Sequence, residues 1–248
     1  MADHYRRVEL AITIDEFHRL PRNPAYKYEY FGGRAVLTPR PKLFACARDL
    51  SPVESDPFEP VEVRPLPAAD ARGLAGLFAR SLWPTQPYAS LDDDAARAAL
   101  DATLNRTLAG EDGPLIEAAC FRAVGDRREG DVGGVLVTLA PPEVLTVPFA
   151  GVWKAPPPAD AVEGRLGVPH LTWVFVDPWV SRRGVGSALL AAAVDALRGL
   201  GFDALASTFA LDNGPSALWH WRHGFRLLPQ MSALWAEAKR GRAAGQAP

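Results

Sequence analysis

Cysteine is nearly absent. Cys46 and Cys120 are the only two among 248 residues, far apart and without metal-ligand spacing. Neither a disulfide framework nor a structural metal site is therefore encoded, and a reducing, cytoplasmic setting is the default expectation. No apolar run is long enough to span a bilayer. The first ten residues mix Asp3, Arg6, Arg7 and Glu9 with few apolar side chains, which does not read as a signal peptide. Repeats of solenoid length are missing. So is a strong charge of one sign: the net charge is -2, with no concentrated basic stripe of the nucleic-acid type. Metal, membrane and nucleic acid are accordingly not expected as partners.

What is present is a chain 48% hydrophobic, sufficient for a sizeable core. The small net charge conceals an asymmetry. Residues 51–179 carry 19 acids against 10 bases, and residues 180–248 carry 4 against 8. A basic last third suits an anionic ligand and an acidic middle suits a cationic one; solvated faces would give the same counts.

Residues 1–55 differ from the rest of the chain. Ile12–Leu20 reads as a short helix, Tyr26–Leu37 as a hairpin around Gly32–Gly33, and Ser51–Pro60 as a Pro- and acid-rich linker. From Val61 the pattern becomes regular. Strands are expected at Val61–Leu66, Ile116–Val124, Val132–Leu139, Leu171–Val176, Ala204–Ala210 and from Phe225, with helices at Ala68–Leu82, Leu91–Leu108, Gly184–Leu200 and Pro215–His223. Leu91, Ala95, Ala99 and Leu104 are read as the apolar face of the second helix. Residues 141–168, with Trp153 and Lys154, form a long Pro- and Gly-rich loop, a candidate wall or lid. The order is β-α-α-β-β-β-α-β-α-β, an α/β chain with a mixed sheet.

The informative stretch is Val176-Asp-Pro178-Trp-Val-Ser181-Arg182-Arg183-Gly184-Val185-Gly186-Ser187. An apolar strand leads through a glycine-containing turn into an amphipathic helix. Such a turn aims backbone N–H groups, aided by the helix dipole, at an anion. Arginines beside it add charge-assisted contacts. On spacing alone, an ordinary strand-to-helix turn would look the same.

In register, Val176, Pro178, Arg182, Gly184 and Gly186 resemble the acetyl-CoA motif of the GNAT family of N-acetyltransferases, with Ser181 where the family has Gln or Arg. Downstream, Asn213 through Ser216, His220, Gly224 and Phe225 resemble the family's second motif. The resemblance covers residues 61–235, leaving 1–55 as an N-terminal extension and 236–248 as a tail. It implies the GNAT fold, with acetyl-CoA in the opening of a splayed mixed sheet, and direct acetyl transfer to an amine. Val174, Phe175 and Val176 would hold the cofactor arm by backbone. Arg182, Arg183, Gly184, Val185, Gly186 and Ser187 would cradle the pyrophosphate. Asn213 would reach the cofactor arm or simply cap its helix. His220 stands where many members have the Tyr that protonates the leaving thiolate; a packed core histidine is the alternative. His170 is the candidate base, on a strand face expected to include Thr172, Val174 and Val176; a plain strand-entry residue after Pro169 is the alternative, and with both histidines inert the proton would leave through ordered water to an acid, Glu117 being one candidate. Trp83 and Tyr88 would line the acceptor pocket or close the core. Two further readings stay open: a non-catalytic acyl-CoA-binding or interaction protein on the same fold, and an N-terminal extension that serves as a partner-binding or dimerising arm, the latter giving a homodimer.

Overall fold

The computed structural model describes residues 7–21, 26–39, 43–55, 61–85, 87–125, 130–146, 153–210 and 213–229. The expected C-terminal tail, 236–248, lies outside them, as do residues 56–60 of the linker and 147–152 of the long loop.

The N-terminal residues make a small unit of their own. β1 (Val8–Ala11) is followed by α1 (Ile14–Arg19), β2 (Tyr26–Phe31) and β3 (Arg34–Pro39). A capping box starts α1: the Glu16 carboxylate accepts the Thr13 amide at 2.7 Å, and the Thr13 hydroxyl accepts the Glu16 amide. Gly32 and Gly33 both have positive φ (53° and 79°), so β2 and β3 meet in a tight turn. The three strands form an antiparallel sheet in the order β1-β3-β2.

β4 (Leu43–Asp49) belongs elsewhere. It runs antiparallel to β9 (Ala204–Ala210) over seven residue pairs, from Leu43↔Ala210 to Asp49↔Ala204. The expected extension thus contains the expected helix and hairpin, and also a strand of the large sheet. That sheet has the order β10-β4-β9-β8-β7-β6-β5, with β5 (Val61–Pro65), β6 (Phe121–Gly125), β7 (Asp131–Ala140), β8 (Val168–Val176) and β10 (Arg226–Leu227). Arg48 locks β4 in place. Its buried guanidinium donates to the carbonyls of Asp49 (2.8 Å), Ser51 (2.5 Å) and His223 (2.7 Å). His223 ends α6 (Gly214–Arg222), so a side chain from the extension closes a helix about 175 positions later.

α5 (Val185–Gly199) packs across β6, β7 and β8 on one face. Gly133 makes this approach possible: a Cβ there would stand 3.0 Å from Leu189 and 3.1 Å from Val185. The opposite face carries α2 (Ala68–Ala71), α3 (Ala75–Leu82) and α4 (Asp93–Leu108), with Phe78, Tyr88, Leu100 and Phe175 at their core. Gly134 leaves room there for the Phe175 ring, which a Cβ would meet at 2.5 Å.

Three expectations are corrected in detail. The helix expected over 68–82 is broken by a 3-10 turn at Arg72–Leu74, where Gly73 weakens helical hydrogen bonding. Glu117–Ala119 is a 3-10 turn, and β6 starts only at Phe121. In α4 the buried stripe is Ala96, Leu100, Leu104 and Thr107. It is rotated by one residue from the expected face because alanines at 95, 96, 98 and 99 leave the apolar period ambiguous, and contact with the core decides.

Candidate active site

β8 and β9 are parallel, and only two residue pairs face each other: His170↔Ala206 and Leu171↔Ser207. Beyond them the strands part, so Thr172–Val176 and Thr208–Ala210 border a gap in the middle of the sheet. The parting coincides with an irregularity in the β7–β8 ladder. Trp173 faces Leu136 and Leu171 faces Val137, leaving Thr172 as one extra residue in β8.

This bulge corrects the expected strand face. Val174 and Val176 pack with Leu171 on the α5 side, whereas Trp173 and Phe175 pack on the α3–α4 side. His170 faces Thr138, whose neighbours Val137 and Leu139 point to the α5 side, so His170 itself points to the α3–α4 side. An even spacing from 170 to 176 would put all four on one face; the inserted residue breaks that alternation.

At the C-terminal end of β8, Asp177 caps the turn into α5: its Oδ1 accepts the Trp179 amide at 3.0 Å and its Oδ2 lies 3.4 Å from Arg80. The turn then enters α5 through two left-handed residues, Arg182 (φ 64°) and Gly184 (φ 87°). A non-glycine residue held there is strained, and such alternation curls backbone amides into an anion-binding concavity. The Ser187 amide is already used, bonding the Gly184 carbonyl at 3.0 Å, and its hydroxyl lies 2.9 Å from Nε2 of His223. The Ser181 hydroxyl turns back onto the Pro178 carbonyl at 2.9 Å. Val185 is buried, so only its backbone is available to a ligand. Gly186 admits the Trp219 indole, whose Nε1 a Cβ would meet at 3.3 Å.

His220 lies on the α5 side, among Phe209, Trp219 and Phe225. Its Nδ1 donates to the Ser216 carbonyl at 2.8 Å and its Nε2 lies 3.0 Å from the Ser207 hydroxyl. Burial pushes its pKa down to about 4, so the ring is neutral near pH 7. His170 is also pushed down to about 4 by burial, with Asp112 opposing and His220 adding to the shift. The two histidines thus lie on opposite faces of the sheet at the point where it opens.

Asn213 caps α6, its Oδ1 accepting the Ser216 amide at 3.1 Å. Tyr88 is buried between α3 and α4 and donates to Thr103 at 3.0 Å, and Trp83 packs against the same cluster. Trp153 donates to the Leu139 carbonyl at 2.8 Å, tying the long loop to the end of β7, while Lys154 is exposed. Glu117 lies near the start of α2, its carboxylate 3.3 Å from the Ala68 amide, away from the gap.

Residues not singled out from sequence also border the site. Trp173 donates to Thr107 at 2.9 Å, and Thr107 donates to the Asp112 carboxylate at 2.6 Å. Thr138 donates to the Asp112 carbonyl at 3.0 Å. Thr107 and Asp112 meet locally, but Trp173 and Thr138 reach them from β8 and β7 only in the folded chain, so local sequence does not mark the group.

Residues 70–225 match the family model of the acetyltransferase (GNAT) family. The chain belongs to that family and has the mixed α/β fold the family shares. No curated protein matches it in sequence. Similar solved structures include a GCN5-related N-acetyltransferase from Sphaerobacter thermophilus, 14% identical, covering 76% of this chain and 49% of that one, at a TM-score of 0.49. The chain therefore spans about half the length of that protein. Another is the aminoglycoside N-acetyltransferase AAC(6')-Iy in complex with CoA, 20% identical, covering 69% and 91%, at 0.44. A third is the PaiA N-acetyltransferase from Thermoplasma acidophilum in complex with coenzyme A, 13% identical, covering 67% and 90%, at 0.43.

Proposed function

We propose that the protein transfers the acetyl group of acetyl-CoA to a primary amine by direct attack, without an acyl-enzyme. The observation that carries this reading is the gap between β8 and β9, which opens beside a left-handed anion loop on one face and His170 on the other. Bound acetyl-CoA would supply the activated acyl carbon. The chain's residues fit that ligand: the amides around Gly184 and Gly186, with Arg182 and Arg183, suit a diphosphate, and Val174–Val176 offer an unladdered backbone edge toward β9.

The amine then approaches from the α3–α4 side, where Trp173 and His170 border the gap. His170 takes the amine proton as the C–N bond forms; the thioester C–S bond breaks, and CoA would depart as its thiolate, to be protonated from solvent. A ring with its pKa near 4 is a weak base, but the nitrogen acidifies steeply once its lone pair is committed to carbon. His220, with both ring nitrogens engaged, acts as a positioning residue that holds α6 to β9. Asn213 serves as the helix cap, and Trp83 and Tyr88 support the acceptor side from the core. Residues 61–235 are assigned as the catalytic domain, with β4 of the extension completing its sheet. Both cysteines are buried free thiols, raised to about 12 (Cys46) and about 11 (Cys120), which suits the reducing cytoplasm.

CoA release measured with a panel of amines tests the reading. Turnover with at least one primary amine is expected, with His170→Gln lowering kcat by roughly 10²–10⁴. CoA binding without turnover for any amine would overturn it.

A further inference from the structure

We propose that Thr172 and Thr138 are positioning residues that fix the neutral tautomer of His170, with its proton on Nδ1 and its lone pair on Nε2. The catalytic consequence rests on the reading of His170 as the base; the tautomer itself does not.

Each hydroxyl has one proton to give, and counting protons assigns the ring. Thr138, fully buried in β7, lies 3.0 Å from the Asp112 carbonyl, which can only accept. The proton of Thr138 is therefore spent there. Thr138 Oγ1 and Thr172 Oγ1 are 2.8 Å apart, so the proton between them must come from Thr172. Thr172 Oγ1 also lies 3.1 Å from Nδ1 of His170, and with its own proton spent it can only accept. The proton in that contact belongs to the ring. Sending the Thr172 proton to the His170 carbonyl, at 3.2 Å, would leave the two threonine oxygens without a proton between them, and even then Thr172 could only accept from the ring. If Thr172 instead donated to the ring, either two lone pairs would face each other at 2.8 Å or the Asp112 carbonyl would lose its donor.

No described residue bonds Nε2 of His170. The anchored hydroxyl pair thus turns the ring's only lone pair away from the ladder. The bulge is what brings the pair together, because Thr172 is the extra residue and Thr138 the cross-strand partner of His170. Free imidazole in water holds its proton on either nitrogen, so a structure that needs Nε2 as an acceptor must supply an acceptor for Nδ1–H. The charged and titratable groups bearing on the ring are Asp112, across Thr138, and His220, across the sheet.

Two-bond 1H–15N correlation spectra of the full-length protein, with all five histidines 15N-labelled and His170 assigned through His170→Gln, read the tautomer directly. The expected result at pH 7 is a protonated Nδ1 and an unprotonated Nε2. Thr172→Val should shift the ring toward a mixture, Thr172→Ser should restore it, and kcat should follow with a roughly three- to tenfold loss at unchanged KM for acetyl-CoA. Thr138→Val provides the same test should Thr172→Val fold poorly. A wild-type ring protonated on Nε2, or a tautomer unmoved by a folded Thr172→Val or Thr138→Val, overturns the proposal. The two readings separate cleanly. A shifted tautomer with full activity in His170→Gln sinks the base and keeps the positioning, and the reverse pattern does the opposite.

Discussion

Leu171 of β8 and Ser207 of β9 are the last residues to face each other before the sheet opens, and the Ser207 hydroxyl lies 3.1 Å from the Leu171 carbonyl. The same hydroxyl is 3.0 Å from Nε2 of His220. The Ser207 hydroxyl therefore stands at the apex of the opening between the Leu171 carbonyl and His220, its single proton shared between these two acceptors, while the His170 ring bonds Thr172 of its own strand.

That placement gives a pH dependence of stability. The pKa of His220 is about 4 in the fold against 6.5 when free, so the unfolded chain binds the extra proton first. Stability is then complete above about pH 6.5 and is lost as pH falls from there toward 4, by on the order of 3 kcal/mol for this group. Thermal melts at pH 7, 5.5 and 4 should show a falling Tm, and His220→Phe should flatten the slope. An equal slope in the variant would assign the acid sensitivity elsewhere.

Activity should have its acid limit low as well. Because His170 is held neutral down to about pH 4, protonation of the base does not limit kcat between pH 7 and 5. A kcat profile measured with a weakly basic amine, itself unprotonated over that range, should stay flat. A limb near 6.5 would mean that the ring is solvated like free histidine.

The anion loop can be tested without turnover. Gly184 sits at φ 87°, where a side chain costs about 1–2 kcal/mol, so Gly184→Ala should lower stability by that amount. On the proposed reading, CoA binding by calorimetry should weaken roughly tenfold or more, because relieving the strain would move the amides assigned to the diphosphate. Unchanged affinity would place the diphosphate elsewhere.

Arg48 predicts how the extension behaves. Arg48→Met leaves three carbonyls without their donor, at a cost of about 2–4 kcal/mol in urea denaturation. Removing residues 1–39 should leave the large sheet folded. Removing residues 1–55 should strip β4 from β9, expose a sheet edge and yield aggregated protein in size-exclusion runs. A monomeric, CoA-binding product of the longer deletion would show β4 to be dispensable.

The family, the anion loop and the helices flanking it could be read from the sequence because their signals are local. A glycine before a helix, a proline after a strand and an apolar stripe of period 3.6 all act over a few residues. Tyr26–Leu37 was equally legible, since Gly32–Gly33 dictates the turn. By contrast, Leu43–Asp49 carries a strand's composition but no mark of its partner, and only assembly brings it beside Ala204–Ala210. The face of α4 stayed ambiguous because alanine contributes little to choosing a side.

The sequence alone determined that a glycine-containing strand-to-helix turn resembling the family's motif is present, which residues flank it, and that histidines occur at 170 and 220. Only the tertiary structure decided that the two histidines lie on opposite faces, that both nitrogens of His220 are engaged, and that Thr172 reaches His170. The physical reason is that one inserted residue in β8 reverses the alternation of a strand, and whether a residue is inserted depends on its cross-strand partner rather than on its own neighbours.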